Sequence, residues 1–393
     1  MLAATVRVTR DLDLAEECVQ DAFAKALTTW TQDTVPRNPG AWLTTAARNR
    51  ALDLLRREAT LRNKLPLLVE DDVAAEPDDP DQIPDDRLRL VFTCCHPSLA
   101  LEAQVALTLR LLCGLSTAEV AHAFLVSEAT MAARITRAKK KIAQARIPYR
   151  VPDRDQLPAR VDAVLAVLHL LFTTGHTAPT GPALVRHDLV VRALDLTRML
   201  SSLLPAPEVR GLLALVLLTD ARRATRVDGA GRLLLLEEQD RSQWDRAAID
   251  EGLSLVRAAL QAGPPGRYAL QAAIAAVHAD AATWQETDWR EIVALYALLE
   301  ARWPSPVVAL NRAVAVGLAD GPQAGLDALD RLTTEPTLAS YSYLPAARAD
   351  FLRRLGRTSE ARTAYDEALL LTENEVERAF LAGRLSGLAG DPA

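Results

Sequence analysis

A chain of 393 residues exceeds what one ordinary helical core accommodates, so two or three domains are expected. Hydrophobic residues make up 49% and charged residues 24%, a balance that excludes disorder for most of the length. The formal net charge of -6 argues weakly against a nucleic-acid binder taken whole, but the charges are unevenly distributed. Charges every few residues from Met1 to Asp13, and the lack of any uninterrupted apolar run of membrane-spanning length, point to a cytoplasmic protein with no membrane contact. Strand signals are scarce, whereas Ala, Leu, Arg and Glu recur at three- and four-residue spacings, so the fold class is all-α.

In the first segment Leu14, Cys18, Ala22 and Ala26 form one helical row and Ala15, Val19, Phe23 and Leu27 the next, which predicts a helix with a broad apolar face. A loop with Pro36 and Pro39 follows, where Asn38 can cap a second helix and Pro39 takes its first position, at which a missing N–H costs nothing. Trp42, Leu43, Ala46, Ala47 and Ala51 are the core side of that helix, while Arg48, Arg50, Arg56 and Arg57 decorate the remainder. Trp30 and Trp42 are placed by their spacing on the apolar side, so burial is favoured over base stacking. Residues 63–86 then hold nine carboxylates between Glu70 and Asp86 together with Pro77, Pro80 and Pro84, an acidic Pro-rich linker that stays extended and is repelled by phosphates.

A second helical module occupies 87–150. Gly114 ends a helix, Leu115 turns inward, and Ser116 with Glu119 makes a capping box that starts a short helix through Val120 and Ala121. Ser127 is a second N-cap, opening a helix with Thr130, Met131, Arg134, Arg137, Lys139, Lys140 and Lys141. Two helices joined by a tight turn, small Ala121 at their approach and a basic second helix read as a helix-turn-helix, although Leu125 holds the turn position that many such motifs give to glycine. In that reading Ser127, Glu128, Thr130 and Met131 face base edges, Arg134 reaches a guanine or a phosphate, and Arg137, Lys139, Lys140 and Lys141 neutralise the backbone. The four cysteines, Cys18, Cys94, Cys95 and Cys113, sit in apolar patterns and read as free core thiols; a zinc site using His96 lacks a second ligand cluster.

Three runs carry a resemblance. Ala15-Glu-Glu-Cys-Val-Gln-Asp-Ala-Phe23, Pro39-Gly-Ala-Trp-Leu-Thr-Thr-Ala-Ala-Arg-Asn-Arg-Ala-Leu-Asp53, and Leu115-Ser-Thr-Ala-Glu-Val-Ala121 continuing to Arg137-Ala-Lys139 resemble, in order, regions 2 and 4 of extracytoplasmic-function (ECF) sigma factors. Phe92-Thr-Cys-Cys-His-Pro97 is similar to the subgroup with a C-terminal tetratricopeptide-like (TPR) domain. The resemblance implies region 2 at 1–62, N-terminally short, with the face of Val19 and Phe23 partly uncovered. It implies that Glu16, Glu17, Gln20 and Asp21 dock on the polymerase, and that Asn38, Arg48, Asn49, Arg56 and Arg57 read and open the −10 element. Region 4 at 87–150 would read the −35 element. The implied partners are core RNA polymerase, through its β′ clamp coiled coil and β flap, and promoter DNA, with no cofactor and no catalytic role.

Residues 151–393 read as helix after helix, the C-terminal TPR-like domain. The clearest repeat spans Leu344 to Leu371, with a weaker copy from Pro306 to Leu332, and stacked hairpins of this kind present a concave face to a peptide or protein. The charged set Asp220, Arg222, Arg223, Asp228, Glu237, Glu238, Asp240, Arg241 and Asp245 reads as an ion-pair network between helices, since no nucleophile, metal set or phosphate loop accompanies it. His169 and His176 read as interior and surface residues, and Phe172-Thr-Thr-Gly-His176 departs from the Asn-Glu-Gly-Tyr that the resemblance to the TPR subgroup implies after that Phe. The expected function is a sigma factor whose C-terminal domain regulates it in cis. The competing readings are a helix-turn-helix regulator with a repeat sensor domain that works without polymerase, and a repeat scaffold that binds only protein.

Overall fold

The computed structural model describes residues 1–30, 35–64, 86–123, 126–153 and 155–388. The expected linker at 63–86 lies outside the described residues except for its ends, as does the turn position of Leu125. Among the described residues every regular element is helical, and the extended chain forms only two isolated bridges, Gly181 with Asn374 and Val227 with Leu233. No described helix is long and apolar enough to cross a membrane. The chain divides into two compact units, Met1–Leu170 and Leu171–Ala393.

The first unit begins with α1 (Leu2–Thr9), α2 (Leu12–Thr29) and α3 (Pro39–Lys64), which pack on one another. Asp11 opens α2, its carboxylate accepting from the amides of Asp13 and Leu14 at 2.8 and 2.9 Å, and Asn38 does the same for α3 through the amide of Ala41 at 3.0 Å. The buried side of α2 is built from Leu12, Ala15, Cys18, Ala22 and Ala26, mostly small residues that let α3 approach at its fully buried Ala47 and Ala51. The face expected to be broad is therefore narrow: Phe23 is 48% exposed and Leu27 85%. Trp30 and Trp42 are half-buried and meet edge to face at 5.1 Å.

Next come α4 (Asp86–Cys94), α5 (Leu101–Leu111), α6 (Thr117–Ala123), α7 (Glu128–Gln144) and the start of α8 (Leu157–His176), whose last residues belong to the second unit. The core here is Leu88, Leu90, Val91, Phe92, Leu107, Leu109 and Met131. Both predicted caps form. The amide of Ser116 donates to Glu119 Oε2 at 2.7 Å while the amide of Glu119 donates to Ser116 Oγ at 3.1 Å, and the amide of Thr130 donates to Ser127 Oγ at 3.2 Å. Gly114 takes a φ of 71°, which lets the chain leave α5 in the left-handed conformation and send Leu115 into the core. Buried Tyr149 lies within hydrogen-bond distance of two carbonyls, Ala3 of α1 at 2.7 Å and Asp86 of α4 at 2.9 Å, and its single hydroxyl proton ties the modules at either end of this unit together.

The second unit contains α9 (His187–Leu203), α10 (Pro207–Asp220), α11 (Arg246–Gln261), α12 (Arg267–Asp280) and α13 (Trp289–Arg302). The centre of this group is α10, in which Val209 and every residue from Gly211 to Leu218 are buried while Arg210 is half-buried. Gly211 is required there, because a Cβ would fall 2.5 Å from the amide nitrogen of Ala269 in α12. The remaining helices pair as hairpins, α14 (Pro306–Asp320) with α15 (Pro322–Asp330) and α16 (Tyr343–Arg354) with α17 (Thr358–Leu371), before α18 (Glu375–Gly387). Fully buried Asn374 uses its whole hydrogen-bonding capacity: its Nδ2 donates to the carbonyls of Ala178 and Ala183 at 3.0 and 2.9 Å, and its Oδ1 accepts from the amides of Val376 and Glu377.

Candidate nucleic-acid interface

Helix α7 divides into two sides by its own periodicity. Met131, Ile135, Ala138 and Ile142 form the buried row, and Thr130, Arg134, Arg137 and Lys141 the outward row beside it. Ser127, Glu128 and Thr130 at the first turn are exposed, as are Arg137, Lys140 and Lys141, so a polar and basic surface faces away from the core. Met131 is a correction to the expected base contacts: it is fully buried, because it falls in the apolar row that seats α7 against α5 and α6.

Lys139 is also placed differently from the expectation. Its ammonium turns toward α2, donating to Asp13 at 2.8 Å and to Glu16, and its side chain is only 11% exposed. Burial works against the charged ammonium, but the bonds from Asp13 and Glu16 outweigh it and hold its pKa above the ordinary lysine value. Glu16 receives a second cation, Arg110 of α5, at 3.2 Å. Of the four acidic and amide residues expected to meet the polymerase, Glu16 is thus engaged by Lys139 and Arg110, and Asp21 by Arg50 at 2.7 Å, while Glu17 and Gln20 are exposed beside Phe23 and Leu27.

On α3 the exposed residues Arg48, Asn49, Leu52, Asp53, Arg56 and Arg57 lie opposite buried Ala47 and Ala51. Asn38 is exposed at its start, with its side-chain oxygen committed to the cap. The five residues expected at the −10 element, two amides and three arginines, therefore lie along one accessible element. The roles of Arg110 and Tyr149 were not legible beforehand, since each acts on a partner distant in sequence and neither belongs to a local pattern.

The remaining expectations concern thiols and charges. All four cysteines are buried free thiols, and among the described residues no three His, Cys, Asp or Glu side chains gather as a metal set. His96 Nδ1 lies 2.7 Å from Ser98 Oγ instead. Apart from Arg222, the charged set of the second unit forms pairs and caps: Arg223 with Asp220 at 3.3 Å, Arg354 with Glu237 at 4.0 Å and Arg384 with Glu238 at 3.6 Å, while Asp240 and Asp245 cap helices and Arg241 donates to the carbonyls of His278 and Ala281. His176 is buried, contrary to a surface reading, and stacks on Phe172 at 5.3 Å.

Residues 2–60 match Sigma-70 region 2 and residues 89–142 match Sigma-70, region 4, the two segments whose exposed polar faces have just been described. Together these two regions support a sigma factor, a protein that directs core RNA polymerase to promoter DNA. The chain is 44% identical to an uncharacterized protein of Rhizobium meliloti (strain 1021), over 100% of this chain and 94% of that relative, and the two belong to one family. Residues 160–260 match a family of unknown function (DUF6596). No solved structure matches the chain.

Proposed function

We propose that the protein is an ECF-type sigma factor with a TPR-like C-terminal domain, acting in the cytoplasm, in which α3 engages the −10 element and α7 the −35 element. The observation that carries this reading is α7 itself: a helix opened by a side-chain cap, seated by one apolar row and presenting Ser127, Glu128, Thr130, Arg134, Arg137 and Lys140 on its other sides. Arginine at Arg134 and Arg137 suits guanine edges or phosphates, and Lys140 and Lys141 supply backbone neutralisation. On α3, Arg48, Arg56 and Arg57 offer cations to separated strands, with Asn38 and Asn49 as polar groups for an unstacked base.

Docking on the β′ clamp coiled coil uses the outer side of α2, where Glu17 and Gln20 stand next to exposed Phe23 and Leu27, a polar and apolar mixture typical of a partner-binding helix. Glu16 joins this surface when it exchanges Lys139 and Arg110 for cations of the polymerase, a change that also returns Lys139 to the DNA side. The β flap is the partner assigned to the α4 to α7 module. The second unit, rich in helical hairpins, acts on these events in cis.

Run-off transcription from genomic fragments with purified core polymerase tests the proposal. Discrete transcripts that require this chain, and that disappear when Arg134 and Arg137 are both replaced by alanine, are the expected result. Binding to duplex DNA with no transcripts would instead describe a regulator that works without polymerase.

A further inference from the structure

In the second unit a cavity of about 710 Å³ opens among the 233–237 loop, α14, α16 and α18, a volume within the range of small-molecule sites. Its wall is apolar and aromatic, with Leu236, Val314, Leu318, Phe351, Trp284 and Tyr341 among the lining residues. Trp284 is held by an edge-to-face contact with Trp289 at 4.7 Å, so the aromatic surface it offers is fixed in place.

The charged groups at this cavity are matched by their own neighbours, with one exception. Asp350 takes Arg353 and Arg354, both at 2.7 Å, Glu377 accepts the hydroxyl of Tyr343 at 2.6 Å, and Arg384 lies 3.6 Å from Glu238. Arg222 lines the same cavity, and among the described residues its guanidinium has no carboxylate and no hydrogen-bond acceptor; only its backbone carbonyl is used, by Thr225. Its charged neighbour is another cation, Arg226, and burial followed by that repulsion pushes the Arg222 pKa down to about 10. A desolvated guanidinium without a counter-charge is costly, and an arginine lining a cavity brings up to five N–H donors for an oxyanion.

We propose that this cavity binds a small amphipathic organic anion, whose carboxylate or equivalent oxyanion pairs with Arg222 and whose apolar body lies against Trp284 and Tyr341. The assignment stands on the second unit alone and does not rest on the promoter reading. It gives that unit a small-molecule input, in place of the peptide that a hairpin-repeat domain would suggest.

The test uses the full chain and two fluorescent probes of like shape: 8-anilinonaphthalene-1-sulfonate, which carries an anion, and N-phenyl-1-naphthylamine, which does not. The sulfonate is expected to bind at one saturable site with energy transfer from tryptophan. Arg222→Gln is expected to weaken it about tenfold or more while changing the neutral probe less than about twofold, and Arg222→Lys to restore most of the loss. Ala347→Trp, which fills the cavity from α16, is expected to exclude both probes. Should Arg222→Gln fail to fold, competition on the unaltered chain decides: decanoate is expected to displace the sulfonate and raise the unfolding temperature, and decanol at equal concentration to do neither. Equal loss of both probes in a folded Arg222→Gln chain, binding that survives Ala347→Trp, or equal competition by decanoate and decanol overturns the proposal.

Discussion

Met131 and Arg137 sit six residues apart on α7 and do opposite work. Met131 is fully buried, so Met131→Ala should lower the stability of the first unit by about 2 to 5 kcal/mol, seen as a lower denaturant midpoint. Arg137 is exposed, so Arg137→Ala should leave that midpoint unchanged while weakening promoter binding and flattening its salt dependence by about one charge. A stable Met131→Ala chain that has lost only DNA affinity would contradict the assignment of this residue to the core. His278 illustrates a different residue effect. Burial, then the charges of Arg222 and Arg241, push its pKa down to about 4 from the ordinary 6.5. As pH falls, the unfolded chain takes up this proton before the folded chain does. The associated stability is therefore whole above about pH 6.5 and is lost between there and about pH 4, amounting to about 3 kcal/mol. His176, pushed down to about 2 by burial and by Arg226, acts in the same direction. Denaturation midpoints of the second unit measured from pH 7.5 to pH 4.5 should fall, and His278→Gln should make the fall shallower; an unchanged slope would show that the proton goes elsewhere.

At the level of elements, the contact between α2 and α7 couples two surfaces that the proposed function needs separately. Lys139 cannot neutralise a phosphate while it holds Asp13 and Glu16, and Glu16 is not available to a clamp while Lys139 and Arg110 hold it. Lys139→Gln removes one of the two cations on Glu16, so affinity for core polymerase, measured by fluorescence anisotropy in the absence of DNA, should rise by several-fold. Unchanged or weaker binding would mean that Glu16 takes no part in docking. The hairpins of the second unit show a related dependence on small residues: Cβ atoms at Gly317 and Gly325 would fall 2.2 and 2.5 Å from the ring of Phe351, so the α14 and α15 pair accepts α16 only because both positions lack a side chain. Gly317 falls within the weaker repeat from Pro306 to Leu332, but the ring that occupies its space is legible only once α16 is in place.

For the molecule as a whole, the proposed division of labour makes the second unit a regulator of the first. Removing the second unit, from Leu171 onward, should change transcript yield from a responsive promoter, assayed with core polymerase alongside a thermal melt of the shortened chain. Unchanged yield together with unchanged stability of the first unit would remove the regulatory role. The all-helical architecture, both caps of the helix-turn-helix, the cap of α3 and the segments of regions 2 and 4 were legible in the sequence, because each depends on residues within about a helical turn or on an apolar period that a helix imposes wherever it lies. What only tertiary structure decided is which of two adjacent faces is covered and which charge meets which. The second apolar row of α2 stays open at Phe23 and Leu27 because the small row beside it is the one that α3 covers, and a helical period cannot choose between neighbouring rows. Lys139 reads as one more cation in a basic run until the fold brings α2 beside it, 123 residues away in sequence, and Arg222 reads as one of a paired set until the fold leaves it alone at a cavity. Charges act through space, and the distances that decide their partners exist only in the folded chain.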